Sequence, residues 1–261
     1  MGRSGRRRHA TFATLGLLAS LVLTLVPLPV RASATTTWVD PARMTSLAGS
    51  DQLVMVTAAN LSTTYGWVTE WDRRAGHWAK VGGPYPVRLG YTGLSNRAVG
   101  QRRQNDGSTP TGSYGIGLTF GTSTAPSTRM KWRHVDSNDY WVDDPRDPAT
   151  YNTYQVARAR AARWRISQAE RLITFGRQYE FVAIVNFNVP SGVHYANGQY
   201  VTSTPANVRL GGGIFLHVDG AGATAGCISM SRTPMRNLIH WLDPAKHPRV
   251  VIGTPAILRT L

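Results

Sequence analysis

Apolar and polar residues alternate with period two, or gather in short apolar runs, over most of the chain beyond residue 52, the pattern of half-buried and fully buried strands. Leu53-Val54-Met55-Val56 is one such run. Gly66 to Trp71 alternates until Asp72-Arg73-Arg74-Ala75-Gly76 supplies turn residues ahead of His77-Trp78-Ala79-Lys80-Val81, which predicts a hairpin. Trp67, Trp71 and Trp78 read as packing residues on its strands rather than as a stacking platform. The Gly- and Pro-rich segments Pro84 to Gly90 and Gly100 to Gly112 predict defined turns, because alternation resumes at Tyr114-Gly115-Ile116-Gly117-Leu118. No Gly-Lys-Ser/Thr follows Gly112, which excludes a phosphate loop. Gly121 to Tyr154 is polar and aromatic and reads as a long ordered loop, its Asp136, Asp139, Asp143, Asp144 and Asp147 as solvated carboxylates whose spacing fails a helix-loop-helix calcium site.

Gln155 to Phe175, rich in Ala and Arg and ending near Gly176, predicts a helix with a solvated basic face. Phe181 to Phe187 predicts a strand buried on both faces. Ile214-Phe215-Leu216-His217 is a further short strand, with His217 on the face of Phe215. Thr233 is the expected N-cap of a helix, with Pro234 at its first position, and Met235, Leu238, Ile239 and Leu242 on one face. Arg249 to Gly253 supplies a last strand. Without a repeat or an internal linker, these elements make one predominantly β domain with a few short helices, spanning 52–261 behind a short lead-in at 35–51.

The first 34 residues follow another rule. Arg3, Arg6, Arg7 and Arg8 precede an apolar run from about Ala10 to Val30, and Ala32-Ser33-Ala34 has the small-x-small form of a cleavage site, so 1–34 is expected to be a secretory signal peptide. An uncleaved anchor is the competing reading. The expected destination is outside the membrane, extracellular or held at the cell wall. Removing the five arginines of this leader, Arg31 included, from a net charge of +15 leaves about +10. Such a charge favours anionic cell-wall polymers as partners over nucleic acid, for which the chain has no module.

Cys227 is the one cysteine of 261 residues, so an internal disulfide is excluded. His217 precedes it by a short loop. Two readings follow: a buried apolar thiol beside a core histidine, or a nucleophile with its base. An exported thiol with no partner favours the second. A zinc peptidase on His194, His217 and Asp219 lacks the paired spacing of zinc motifs and leaves Cys227 unexplained.

Several ordered motifs resemble the L,D-transpeptidase (YkuD/ErfK-type) catalytic domain of bacterial cell-wall enzymes. Asp106 to Tyr114 contains Thr109-Pro110-Thr111-Gly112, similar to the family's Thr-Pro-x-Gly turn. Trp141-Val142-Asp143-Asp144-Pro145 and Tyr151-Asn152 resemble one branch of it. Ile214 to His217 followed by Thr224-Ala225-Gly226-Cys227-Ile228 resembles its catalytic signature. The resemblance implies a mixed β-sandwich, no cofactor and no metal. It also implies a Cys227 thioester formed on a peptidoglycan stem peptide with loss of terminal D-alanine, then transfer to an amine to give a 3-3 cross-link. Transfer to water, or a non-catalytic wall-binding module, are the alternatives. His217 would be the base, Thr224 and Gly226 the oxyanion and turn support, and carbapenems covalent inhibitors. Many relatives carry Arg two residues after the Cys; Ser229 stands there, and Arg232 is the expected substitute. Ala225 replaces a second His of some relatives, leaving His194 as a candidate neighbour of the substrate.

Overall fold

In the computed structural model, which describes residues 39–96 and 102–261, the period-two pattern is realised as strands whose two faces enter different apolar clusters. The strands are β1 (Gln52–Thr57), β2 (Tyr65–Arg74), β3 (His77–Arg88), β4 (Gly112–Gly121), β5 (Trp132–His134), β6 (Asp139–Val142), β7 (Thr153–Val156), β8 (Ala169–Arg171), β9 (Val182–Val185), β10 (Ser191–Ala196), β11 (Gln199–Thr204), β12 (Phe215–Val218), β13 (Ile228–Met230) and β14 (Arg249–Gly253), with helices α1 (Arg232–Trp241) and α2 (Pro255–Leu258). In β1, Val54 and Val56 face a central cluster with Val250 and Ile252 of β14, whereas Leu53, Met55 and Val251 face outward onto Val39, Met44 and Leu47 of the lead-in. Burying each such side chain stabilises the fold by roughly 1.5–3 kcal/mol.

Nine strands form one sheet in the order β14-β1-β2-β3-β13-β12-β9-β4-β5. β4 also pairs with β14, Gly112 to Gly115 against Ile252 to Arg249, so the sheet closes on itself. The fold is thus mostly β with a few short helices, and its opposed layers are parts of one closed sheet. The hairpin lies where the alternation put it, β2 and β3 turning at Ala75 and Gly76, both at positive φ. β9 is buried on both faces, as its continuous apolar run requires. Ser231 holds the N-cap position of α1, two residues before the expected Thr233 and without a side-chain capping bond, and Met235, Leu238, Ile239 and Leu242 are fully buried in the central cluster.

The structure corrects the sequence reading in two places. Gln155 to Phe175 is no helix: it holds the end of β7, short 3₁₀ turns and β8. Tertiary bonds outweigh local propensity there. The Gln155 side chain donates to the Tyr200 carbonyl at 2.5 Å and accepts from the Tyr200 amide at 2.9 Å, fixing this stretch against β11. Arg165 and Arg163 turn to Asp144 (2.5 Å) and Asp147 (2.9 Å). Those carboxylates are therefore not solvated, and Asp144 is 2 % exposed. The 121–154 stretch is likewise not all loop, since it contains β5, β6 and the start of β7. β6 is flanked by β7 and β8 in a three-stranded sheet. Aromatics of this insertion, Trp141, Tyr154 and Tyr179, cover the outer face of β9 and β12 together with Phe120 and Phe215. The expected signal segment lies outside the described residues, among which no helix is long and apolar enough to cross a membrane.

Candidate active site

β12 and β13 run parallel, with His217 opposite Ser229. Parity sends Leu216 and Val218 into the central cluster and Phe215 and His217 to the outer face. Cys227 immediately precedes β13, and its Sγ donates to the Gly213 carbonyl at 3.2 Å, just before β12. Cys227, His217 and Ser229 line one cavity of about 250 Å³, closed on its other side by Glu170, Gln178 and Tyr179.

The loop holding the thiol is set by its own side chains and by a buried arginine. Thr224 Oγ1 donates to the Cys227 carbonyl at 2.6 Å and accepts from the Gly226 amide at 3.1 Å. The Thr224 amide donates to Leu89. Thr224 and Gly226 thus shape the turn, and their amides have partners within the fold instead of facing an oxyanion. Gly226 has φ +139°, and a Cβ there would meet the Ser108 carbonyl at 2.8 Å. Arg102, 5 % exposed, donates to the carbonyls of Ser108 (2.7 Å), Leu210 (3.0 Å) and Ala225 (3.3 Å), tying three loops together behind Cys227. Thr109, from the Thr-Pro-Thr-Gly turn, accepts from the Gly90 amide at 2.8 Å and donates to the Cys227 carbonyl at 3.5 Å.

Burial disfavours the charged form of both Cys227 and His217. Burial pushes the Cys227 thiol up to about 12, and the Glu170 carboxylate adds to the effect. Burial lowers His217 to about 4, against the pull of the Val218 and Gln178 carbonyls and the Asp219 carboxylate. His217 Nδ1 lies 2.8 Å from the Val218 carbonyl, a bond that requires the proton on Nδ1 and, in the neutral ring, leaves the lone pair on Nε2. The group orienting the imidazole is therefore main chain. Asp219 instead accepts from Ser231 at 3.5 Å. Tyr179 packs its ring edge-on against His217, with centroids 5.6 Å apart.

Sequence reasoning missed Arg102, Asp143, Glu170, Tyr179 and Arg88. Asp143 stands inside the quoted Trp-Val-Asp-Asp segment, a signal that was present; Glu170 was hidden by the false helix, and Tyr179 fell between that helix and the next expected strand. Burial raises both carboxyls, Asp143 to about 8 and Glu170 to about 7, and the Glu170 charge raises Asp143 further. Tyr179 donates to Glu170 Oε2 at 2.8 Å. The Tyr151-Asn152 pair also acquires a role. Asn152 Oδ1 accepts from Trp141 Nε1 (3.1 Å) and from the Gly213 amide (2.9 Å), while its Nδ2 donates to the carbonyls of Phe187 and Asn188.

The remaining candidates separate. Ser229 lines the cavity with its Oγ buried and unpartnered among the described residues. Arg232 is ion-paired with Glu180 and lies over the Phe181 ring, so its charge is already engaged. His194 sits on exposed β10, bonded to the Gly192 carbonyl at 2.9 Å, and lines neither cavity at Cys227. Arg88, in contrast, is directly opposite Ser229 across β3 and β13, in the row His217, Ser229, Arg88, Tyr65 that shares one face of the sheet. Its guanidinium lies 4.1 Å over the Tyr65 ring. Among the described residues no group of three or more His, Cys, Asp or Glu is arranged to hold a metal ion.

No curated protein and no solved structure matches the chain. A family model does, across residues 59–256, most of the sequence and all of the elements that build the cavity. With a mostly β fold and that match, the chain belongs to the YkuD family, the L,D-transpeptidase catalytic domain.

Proposed function

We propose that this member of a family acting on peptidoglycan peptides is an exported cysteine acyltransferase that forms 3-3 cross-links. The observation that carries the reading is one cavity containing both the Cys227 thiol and the His217 imidazole, brought there by adjacent parallel strands. With the thiol pushed up and the imidazole pushed down, a standing ion pair is disfavoured. The proton therefore moves from Sγ to Nε2 as sulfur attacks the carbonyl of the donor tetrapeptide. The imidazolium then protonates the departing D-alanine amine, and the thioester passes to an acceptor amine.

Arg88 supports a carboxylate subsite on the donor side. Ser229 leaves room where relatives carry arginine, and Arg88 brings a guanidinium to the same face from the neighbouring strand. Together with Ser229 Oγ it supplies the donor groups a peptide carboxylate needs. The charge of about +10 that remains without the leader is consistent with an anionic wall as surroundings.

The test is intact-mass measurement of the protein after incubation with a stem tetrapeptide or a carbapenem, beside Cys227→Ala. The expected result is an adduct on the wild type alone, with tetrapeptide dimers accumulating. Tripeptide without dimer would establish water as the acceptor; no adduct and no turnover would leave a wall-binding module.

A further inference from the structure

Cys227 and Glu170 line two cavities at once: the one containing His217, and a second of about 180 Å³ walled by Arg102, Gln104, Asp143 and Gly211 to Gly213. Glu170 lies opposite Trp141 across β8 and β6, and Asp143 is two residues further on, so both carboxyls enter the second cavity beside the sulfur. Asp143 Oδ1 is buried with no partner among the described residues. We infer that Glu170 is the acid–base residue of the second half-reaction, taking a proton from the ammonium group of the acceptor that reaches the thioester through this second cavity.

The inference rests on the acyl-enzyme reading above. It follows from a proton count. An acceptor R–NH₃⁺ must lose two protons to become an amide nitrogen. One returns to sulfur: the C–S bond breaks as the C–N bond forms, and His217 carries that proton to the leaving thiolate. The other needs a separate base, because His217, buried and weakly basic, serves one proton at a time. The Glu170 carboxylate accepts it, and the sum is thioester, ammonium and carboxylate giving amide, thiol and carboxylic acid, which then loses its proton to water.

The groups facing Glu170 suit it to that task. Tyr179 donates to one oxygen, burial sets the carboxyl near neutrality, Asp143 just beyond β6 stands on the same cavity wall, and the cation of Arg102 is tied to carbonyls across the cavity. Conversion of Cys227 to a thioester removes its acidic proton. A carboxyl titrating near neutrality is an efficient base at working pH.

A stem tetrapeptide serves as donor and acceptor, with acyl-enzyme followed by mass and dimer and tripeptide by chromatography. In E170Q the dimer-to-tripeptide ratio, read per acyl-enzyme formed so that any change in acylation cancels, is expected to fall by at least about tenfold, a larger loss than that of acylation. Y179F keeps the carboxylate but removes a hydrogen bond to its charged form, so the pH limb of dimer formation should move to higher pH. Equal loss of acylation and transfer in E170Q, an unchanged dimer ratio, or an unmoved limb in Y179F would each overturn the inference. A wild type that acylates but passes the acyl group only to water also overturns it and leaves the acyl-enzyme standing. A wild type that forms no acyl-enzyme overturns both.

Discussion

Asn152 Oδ1 lies 2.9 Å from the amide nitrogen of Gly213, the residue whose carbonyl accepts the hydrogen of the Cys227 thiol. One buried amide side chain thus sets the height of the peptide on which the Cys227 thiol rests. Its other three bonds, from Trp141 and to Phe187 and Asn188, hold it in a left-handed backbone conformation with φ +58°. N152A should lose about 2–4 kcal/mol in urea unfolding, because it strands buried donors and acceptors. Acylation of the folded fraction should slow by about tenfold or more as Gly213 relaxes. Wild-type acylation in N152A would disconnect this residue from the thiol.

The neutral thiol and imidazole make a kinetic statement. Acylation depends on neutral His217, so its rate should stay level down to about pH 5 and fall below that with a midpoint near 4. A preformed thiolate–imidazolium pair would instead produce an acid limb governed by the thiol. Stopped-flow acylation across pH 4–8 separates the two. H217Q should slow acylation on the order of a hundredfold with the thermal midpoint little changed.

Carboxylate recognition reads out as a split between steady-state constants. R88A should raise KM for a tetrapeptide donor by about tenfold and alter kcat less, since the guanidinium is placed for binding rather than for proton transfer. A donor amidated at its terminal carboxylate should bind wild type and R88A alike. R232A should leave both constants near wild type, its charge being paired with Glu180.

Glu70 offers a test of stability remote from the cavity. It is buried on β2 with Oε1 unpartnered among the described residues, and burial, then the Asp72 charge, raises it to about 7. Because the folded value exceeds the unfolded one, its contribution is fully present below about pH 4.5 and is lost as pH rises through about 7. The wild type should therefore lose stability between pH 5 and pH 8. E70Q should recover about 2 kcal/mol of that difference at pH 8 and little at pH 5, by urea unfolding.

Much of this arrangement was legible in the chain because period-two patterning responds to burial directly. The apolar run Leu53 to Val56 announces a strand buried on both sides, and Leu216 beside His217 announces opposite faces. Cys227 and His217 were legible by chemistry and by an ordered resemblance. Where the reading failed, long-range bonds outweighed local preference: Gln155 is claimed by Tyr200, and Arg165 by Asp144, partners that no local window contains. The false helix then hid Glu170, and with it part of the wall facing the thiol. Arg88 was illegible for another reason. Only strand register reveals that a residue 141 positions before Ser229 stands beside it.

The bond from His217 Nδ1 to the Val218 carbonyl has an evolutionary consequence. An orienting carboxylate can be deleted by one codon change, whereas a peptide carbonyl is supplied by whichever amino acid occupies the position. The anchor of the imidazole therefore makes no demand on the side chain at 218, which is left to serve the core, here as a valine. An alanine scan would pass over the third participant entirely; only a change to the main chain itself, such as an ester in place of the adjoining amide, would expose it.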